Sequence, residues 1–222
     1  MVSPVKIEAV TFDVGGTLIE PWPSVGAVYA EVASRFGVRS DPARLDRQFA
    51  AAWRTRRGFD YSRMAWQDLV ASSFAGLAEP LPDGCFDAIY DRFAGPDVWR
   101  IFEDVFPTIE TLSRRGLRIG IISNWDERLG PLLERLDLHR RFEVVVSSCR
   151  VGHGKPAPEI FRYAAQRLAL PPAAILHIGD SRLEDLEGAR SVGMQARLIR
   201  RGEDPIARER LRALSDLPRE LG

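Results

Sequence analysis

Asp13, Ser123, Lys155, Asp180 and Asp185 each stand just past or near the end of an apolar run. Together they are the parts of a phosphoryl-transfer site. A carboxylate can attack phosphorus, a hydroxyl and an ammonium suit phosphoryl oxygens, and further carboxylates suit a hard cation. Asp13 follows Val10-Thr11-Phe12 and precedes Gly15-Gly16, where missing side chains let backbone N–H groups approach an anion. Taken alone it reads equally as an Asp that opens a turn. Ser123-Asn124 ends the run Leu117 to Ile122, a place where a hydroxyl beside helix-opening amides suits a phosphoryl oxygen. Asn124 and Glu127 also have the spacing of a helix cap. Lys155 precedes Pro156, which biases it toward an extended loop, and Pro158 is placed to open the next helix. An ordinary exposed lysine is the bland alternative, but Lys6 is the only other lysine in the chain.

Asp180 and Asp185 follow Ile175-Leu176-His177-Ile178 and fall at a strand end and in a first helical turn. Mg²⁺ favours few carboxylates, several waters and substrate phosphate, which that placement offers. Ser181 and Glu184 have capping-box spacing and read as helix initiation. His139, His153 and His177 are scattered, and His177 reads as a core histidine inside a buried run. Arg54, Arg56 and Arg57 read as a solvated helix face, with contact to an anionic substrate as the alternative.

The elements that must hold these residues alternate. Val5 to Phe12, Leu117 to Ile122, Val144 to Ser147, Ala174 to Ile178 and Ala196 to Ile199 are strand-like. Thr108 to Arg115, Glu127 to Asp137, Glu159 to Ala169, Leu183 to Val192 and Pro205 to Leu214 have helical periodicity. This predicts an α/β fold, a Rossmann-like parallel sheet with helices on both faces. Ligands of such sheets bind beyond the carboxyl ends of the strands, where the five polar residues fall. Between Glu20 and Arg100 the alternation stops, and helical pattern broken by Gly and Pro replaces it with no convincing strand. That stretch, rich in Trp and Phe, predicts an inserted helical cap over 20–100, with the core over 1–19 and 101–222.

The chain has 222 residues, enough for one large domain or a domain with a sizeable insertion. Lys plus Arg and Asp plus Glu both number 31, so net charge gives no reason to expect nucleic acid or a membrane as partner. No apolar run approaches the roughly 20 residues of a membrane span. Cys85 and Cys149 are far apart and read as free thiols in a reducing compartment, which predicts a cytoplasmic protein. A monomer and a homodimer are both open.

FDVGGTL, IISN, GKPAPEIF and GDSRLEDLEGA resemble, in order and spacing, the four motifs of the haloacid dehalogenase superfamily, with a helical cap between the first two. The resemblance covers essentially the whole chain. It implies Asp13 as nucleophile, with Ser123 and Lys155 holding the phosphoryl group and Asn124, Gly16 and Thr17 also at the substrate. It implies a Mg²⁺ site at Asp13, Asp180, Asp185 and the Gly15 carbonyl, and a small phosphorylated metabolite as substrate. In the family's phosphatases the position of Gly15 is an Asp that protonates the leaving oxygen. Gly15 keeps the carbonyl and lacks the acid. Two branches also lack that Asp: 2-haloacid dehalogenases carry an aromatic there and need no metal, and phosphonoacetaldehyde hydrolases use a cap lysine. Gly15 is no aromatic, and no lysine lies between Glu20 and Arg100. The implied protein is a Mg²⁺-dependent phosphatase with an altered acid step. The alternative is a catalytically weak or inactive binding or regulatory protein of the same fold.

Overall fold

Eight strands run through the computed structural model, which describes residues 6–56, 59–201 and 210–221. They are β1 (Ala9–Phe12), β2 (Ile19–Pro21), β3 (Trp99–Ile101), β4 (Arg118–Ser123), β5 (Val144–Ser147), β6 (Ile175–Gly179), β7 (Gln195–Ile199) and β8 (Arg210–Leu211). Six of them form one sheet in the order β5-β4-β1-β6-β7-β8. Every pairing in it is parallel. A parallel sheet covered on both faces needs continuously apolar strands, and all four residues of β1 are buried. Phe12 stands opposite Ile121 of β4 and Ile178 of β6, so the three strands end nearly level. Asp13 and Ser123 therefore emerge side by side, with Asp180 just beyond Gly179.

The helices Val105–Arg114 and Pro158–Arg167 both pack on β4. The second buries Ile160, Phe161 and Ala164 in one cluster with Ile122, Val146, Ile175 and Leu198. Pro158 sits in its first turn with Glu159, and Arg167 in its last, the distribution that a helix dipole favours.

Four expected elements differ most. The first strand begins at Ala9, and Val5 lies outside the described residues. The expected helix Glu127 to Asp137 spans only Leu129–Arg135. The cause is Asp126, whose carboxylate accepts the Arg128 N–H at 3.1 Å and holds a turn there. Leu183 to Val192 splits into a π-helical turn, Arg182–Glu187, and a short α-helix, Gly188–Ser191. The Ser181 carbonyl accepts both the Asp185 and Leu186 N–H groups, at 3.0 and 3.2 Å, which widens that turn. Of Pro205 to Leu214, residues 205–209 lie outside the described residues. The remainder holds the short strand β8, whose Leu211 carbonyl accepts the Arg200 N–H at 2.9 Å.

The chain divides into two compact units, 1–19 with 101–222, and 20–100. The second carries the helices Val25–Ser34, Pro42–Thr55, Arg63–Ser73 and Cys85–Arg92. The first three begin at Ser24, Asp41 and Ser62, whose side chains accept N–H groups of the opening turn. Its core contains Tyr29 stacked on Phe74 at 5.9 Å and edge-on to Phe49 at 6.0 Å. The expectation of no strand in this stretch is corrected at its two ends, where β2 and β3 pair as a two-stranded sheet. Both Cys85 and Cys149 are free thiols. Among the described residues no helix is long and apolar enough to cross a membrane.

Candidate active site

Four of the five side chains are joined directly, all within the 1–19 and 101–222 unit. The N–H of Asp13 donates to the Ile178 carbonyl at 2.8 Å, which docks the end of β1 on β6. Asp13 Oδ1 accepts the Ser123 hydroxyl at 2.9 Å and Lys155 Nζ at 2.6 Å. Lys155 Nζ donates at 2.5 Å to Asp185 Oδ1 as well. Asp180 is the fifth: one oxygen each from Asp13, Asp180 and Asp185 lies within 4.8 Å of the others.

The loop carrying Lys155 is held by Asn124. Its Oδ1 accepts the Lys155 N–H at 2.6 Å, and its Nδ2 donates to the Lys155 carbonyl at 2.9 Å and to Glu184 Oε2 at 3.2 Å. The expected helix cap at Asn124 is therefore corrected, because its amide is committed to a peptide far along the chain. Nor does a helix begin beside Ser123, since the next one opens at Leu129. The capping box at Ser181 is half formed. Ser181 Oγ accepts the Glu184 N–H at 3.2 Å, while the Ser181 N–H donates to Asp185 Oδ2 at 2.9 Å.

Two glycines make room for these carboxylates. A Cβ at Gly179 would lie 2.1 Å from the Asp185 carboxyl carbon, and one at Gly16 would lie 2.6 Å from Asp180 Oδ2. Gly16 also has φ of +74°, which favours glycine. Gly15 is half-buried and bridges to Ile19. Thr17 is fully buried, and its hydroxyl has no partner among the described residues.

His177 is a core histidine with a task that its sequence position did not disclose. It is fully buried, with Nδ1 3.0 Å from Thr11 Oγ1 and Nε2 3.1 Å from Asp185 Oδ1. It thus orients a site carboxylate from below. Its place two residues before Gly179 was the available clue, since alternate residues of a strand share a face. His139 and His153 are in no such cluster. Of the three arginines, Arg54 is exposed, Arg56 lies 3.6 Å over the Trp53 ring, and Arg57 is outside the described residues.

The electrostatics divide the carboxylates. Burial pushes the Asp13 carboxyl up, against the pull of Lys155. Burial and the negative charges of Asp13 and Asp185 push Asp180 up to about 7. Burial opposes the charge of Asp185 too, but Lys155 and His177 win and hold it well below the usual carboxylate range. Burial likewise opposes the charge of Lys155, yet Asp13 and Asp185 keep the ammonium protonated. One buried ammonium thus faces three carboxylates, with the Arg200 guanidinium also acting on Asp180. Removing one partner of a buried ion pair leaves an uncompensated charge, at a cost of about 3–5 kcal/mol. Lys155→Met should lower stability by about that much, measured by urea denaturation in EDTA. A loss below about 1 kcal/mol would show the pairing to be energetically idle.

A strand-end carboxylate clasped by a hydroxyl and a lysine, beside an acidic cluster, can act as a nucleophile or hold a cation. The comparisons point the same way. The description "haloacid dehalogenase-like hydrolase" matches residues 7–193. A mouse haloacid dehalogenase-like hydrolase domain-containing protein 3 is 33% identical over 93% of this chain and 86% of its own length. An N-acetylmuramic acid 6-phosphate phosphatase of Pseudomonas aeruginosa is 28% identical over 97% of this chain and 93% of its own. The crystal structure of an HAD phosphatase from Thermococcus onnurineus superposes with a TM-score of 0.71 at 27% identity, over 97% of this chain and 98% of that one. With its sheet order, its strand-end residues and these likenesses in accord, the chain belongs to the haloacid dehalogenase-like hydrolases.

Proposed function

We propose that this hydrolase cleaves a phosphoester or phosphoanhydride of a small phosphorylated metabolite through an aspartyl-phosphate on Asp13. The observation that carries this is the seating of the Asp13 carboxylate. Oδ1 takes both the Ser123 and the Lys155 bonds, which among the described residues leaves the lone pairs of Oδ2 uncommitted for attack. That oxygen bonds to phosphorus as the bond from phosphorus to the leaving oxygen breaks, its electron pair departing on that oxygen. Water then attacks the acyl phosphate, releasing inorganic phosphate and restoring Asp13. Lys155 and Ser123 hold phosphoryl oxygens, and Lys155 offsets negative charge brought into a buried site. The phosphatases among the relatives support the substrate class. In this reading the helical insertion is a cap, as the resemblance implies, and the free thiols support a reducing, cytoplasmic setting.

The residues fit Mg²⁺. Asp13, Asp180 and Asp185 offer only hard oxygen donors, close together and in excess of the single ammonium that neutralises them. They would hold the ion, with the Gly15 carbonyl as a further donor in the family's pattern. When bound, the ion supplies positive charge that polarises a phosphoryl oxygen. Magnesium at about a hundredfold its dissociation constant should stabilise the fold by about 2.7 kcal/mol, roughly 5–10 °C of melting temperature for a chain of this size. Asp180→Ala should remove that rise. A parent protein whose melting temperature ignores Mg²⁺ would sink the metal site.

The proposal as a whole is tested by turnover across a panel of phosphorylated metabolites, with Asp13→Asn as the blank. Turnover of none of them would favour a binding protein on the same fold.

A further inference from the structure

Two arginines that belong to none of the motifs follow β7 and lie beyond residue 193, where the family match ends. Arg201 donates twice to the Thr17 carbonyl, from Nε at 3.2 Å and Nη2 at 2.6 Å. The same guanidinium pairs with Asp104, Nη1 to Oδ2 at 3.2 Å and Nη2 to Oδ1 at 3.0 Å. Its carbon lies 3.6 Å over the Phe102 ring. Asp104 is itself anchored, since Oδ2 accepts the Leu214 N–H at 2.7 Å. Arg200, next along the chain, donates to the Asp180 carbonyl.

These contacts fall at a particular place. Thr17 and Leu18 are the last residues before β2, Phe102 follows β3 directly and Asp104 lies two residues further on. The Phe102 N–H donates to the Leu18 carbonyl at 3.1 Å. One guanidinium therefore ties the outgoing and returning chain together at the root of the insertion. The turn after Asp13 closes through Gly16 N–H to Ile19 O and Leu18 N–H to Val14 O, both 2.8 Å. That internal bonding leaves the Thr17 carbonyl as an acceptor for an outside donor. A planar fork with five fixed donors suits a site that must grip a carbonyl and a carboxylate at once.

We infer that Arg201 and Arg200 are positioning residues: Arg201 fixes the Gly15–Leu18 turn beside the nucleophile, and Arg200 fixes the backbone that presents Asp180. Asp13 and the pair Asp180 and Asp185 come from separate loops, and misplacement by about 1 Å is enough to cost on the order of a hundredfold in rate. The arginines hold both loops from one strand end.

The catalytic part of this inference rests on the proposed phosphoryl transfer, and the exchange and metal measurements do not. Amide hydrogen exchange of Arg201→Gln should accelerate at least about tenfold in the peptide spanning 14–19. Exchange in β4 should stay as in the parent, and Arg201→Lys should fall between the two. Arg200→Gln should weaken Mg²⁺ binding by calorimetry about tenfold. With p-nitrophenyl phosphate, Arg201→Gln should lower kcat at least about tenfold with KM nearly unchanged, and Arg201→Lys should recover part of it. Uniform acceleration across the core, or none in 14–19, would reduce Arg201 to a general structural contact. Unchanged Mg²⁺ affinity in Arg200→Gln would overturn its role. If the glutamine variant does not fold, exchange in Arg201→Lys decides: a rate in 14–19 equal to the parent's overturns the inference. A parent without phosphatase activity defeats the proposed function alone, because the other two measurements still read the positioning.

Discussion

Replacing Asp13 with Asn should lower turnover of a good phosphate ester at least about a thousandfold, in line with the loss of a nucleophile in other covalent enzymes. Asparagine keeps the shape and an oxygen to accept the Ser123 and Lys155 bonds, so the strand end should stay in place. What it loses is the charged oxygen that attacks phosphorus in the proposed reaction. Stability should not fall in parallel. Lys155 retains Asp185 as a partner at 2.5 Å, and removing one of three crowded carboxylates relieves the repulsion that raises Asp180. In EDTA the variant should melt at or above the parent's temperature. Steady-state kinetics with an aryl phosphate, beside a thermal melt, check both statements. A variant that keeps more than about a hundredth of the rate would mean that Asp13 is not the nucleophile.

Gly15→Asp should raise activity on alkyl phosphates by about one to two decades, within the usual range for a positioned acid, and change aryl phosphates far less. In the proposed reaction, without an acid at this position, the leaving oxygen would depart largely unprotonated, and a loose transition state would place charge on it. Aryl and acyl phosphates tolerate that charge, whereas alkyl phosphates do not. The site admits the new side chain. Gly15 is outside the left-handed region, and the nearest atom to an added Cβ is Trp125 Cζ3 at 3.5 Å, an ordinary contact. Replacement of Gly16 would meet Asp180 instead. Acids in the insertion are poor substitutes for the missing proton donor. Glu20 is paired with Arg100, and Glu31 with Arg35 and Arg92. The Ser62 hydroxyl and N–H hold the Asp60 carboxyl below its ordinary range. Tyr61 is buried. Equal parent rates on alkyl and aryl phosphates would overturn this account, and Glu20, Glu31, Asp60 and Tyr61 would then be mutated in turn.

Much of this was legible in the residue order. Alternation of apolar runs with helical periodicity specifies a parallel sheet, because a strand buried on both faces must be apolar throughout. Val144 to Ser147 was read to the residue. The end of each run also marks where polar side chains emerge, so Asp13, Ser123, Lys155, Asp180 and Asp185 could be nominated without coordinates. The long aromatic stretch between two of those runs had no place in the parallel sheet and had to build its own core, though the pairing of its two ends as β2 and β3 was not legible.

Partnership was not legible. A buried amide or imidazole must find hydrogen bonds, but its type does not say with whom. Asn124 looked like a cap because local spacing allowed one; packing gave its amide to Lys155, 31 residues away in the chain. His177 looked inert until the widened turn at Ser181 brought Asp185 back against it. Arg201 carried no motif and sits 184 residues from the carbonyl that it grips. Local periodicity determined the elements and their ends. Only the assembled sheet, which brings those ends level and makes each buried polar group choose among neighbours, decided which side chains act together.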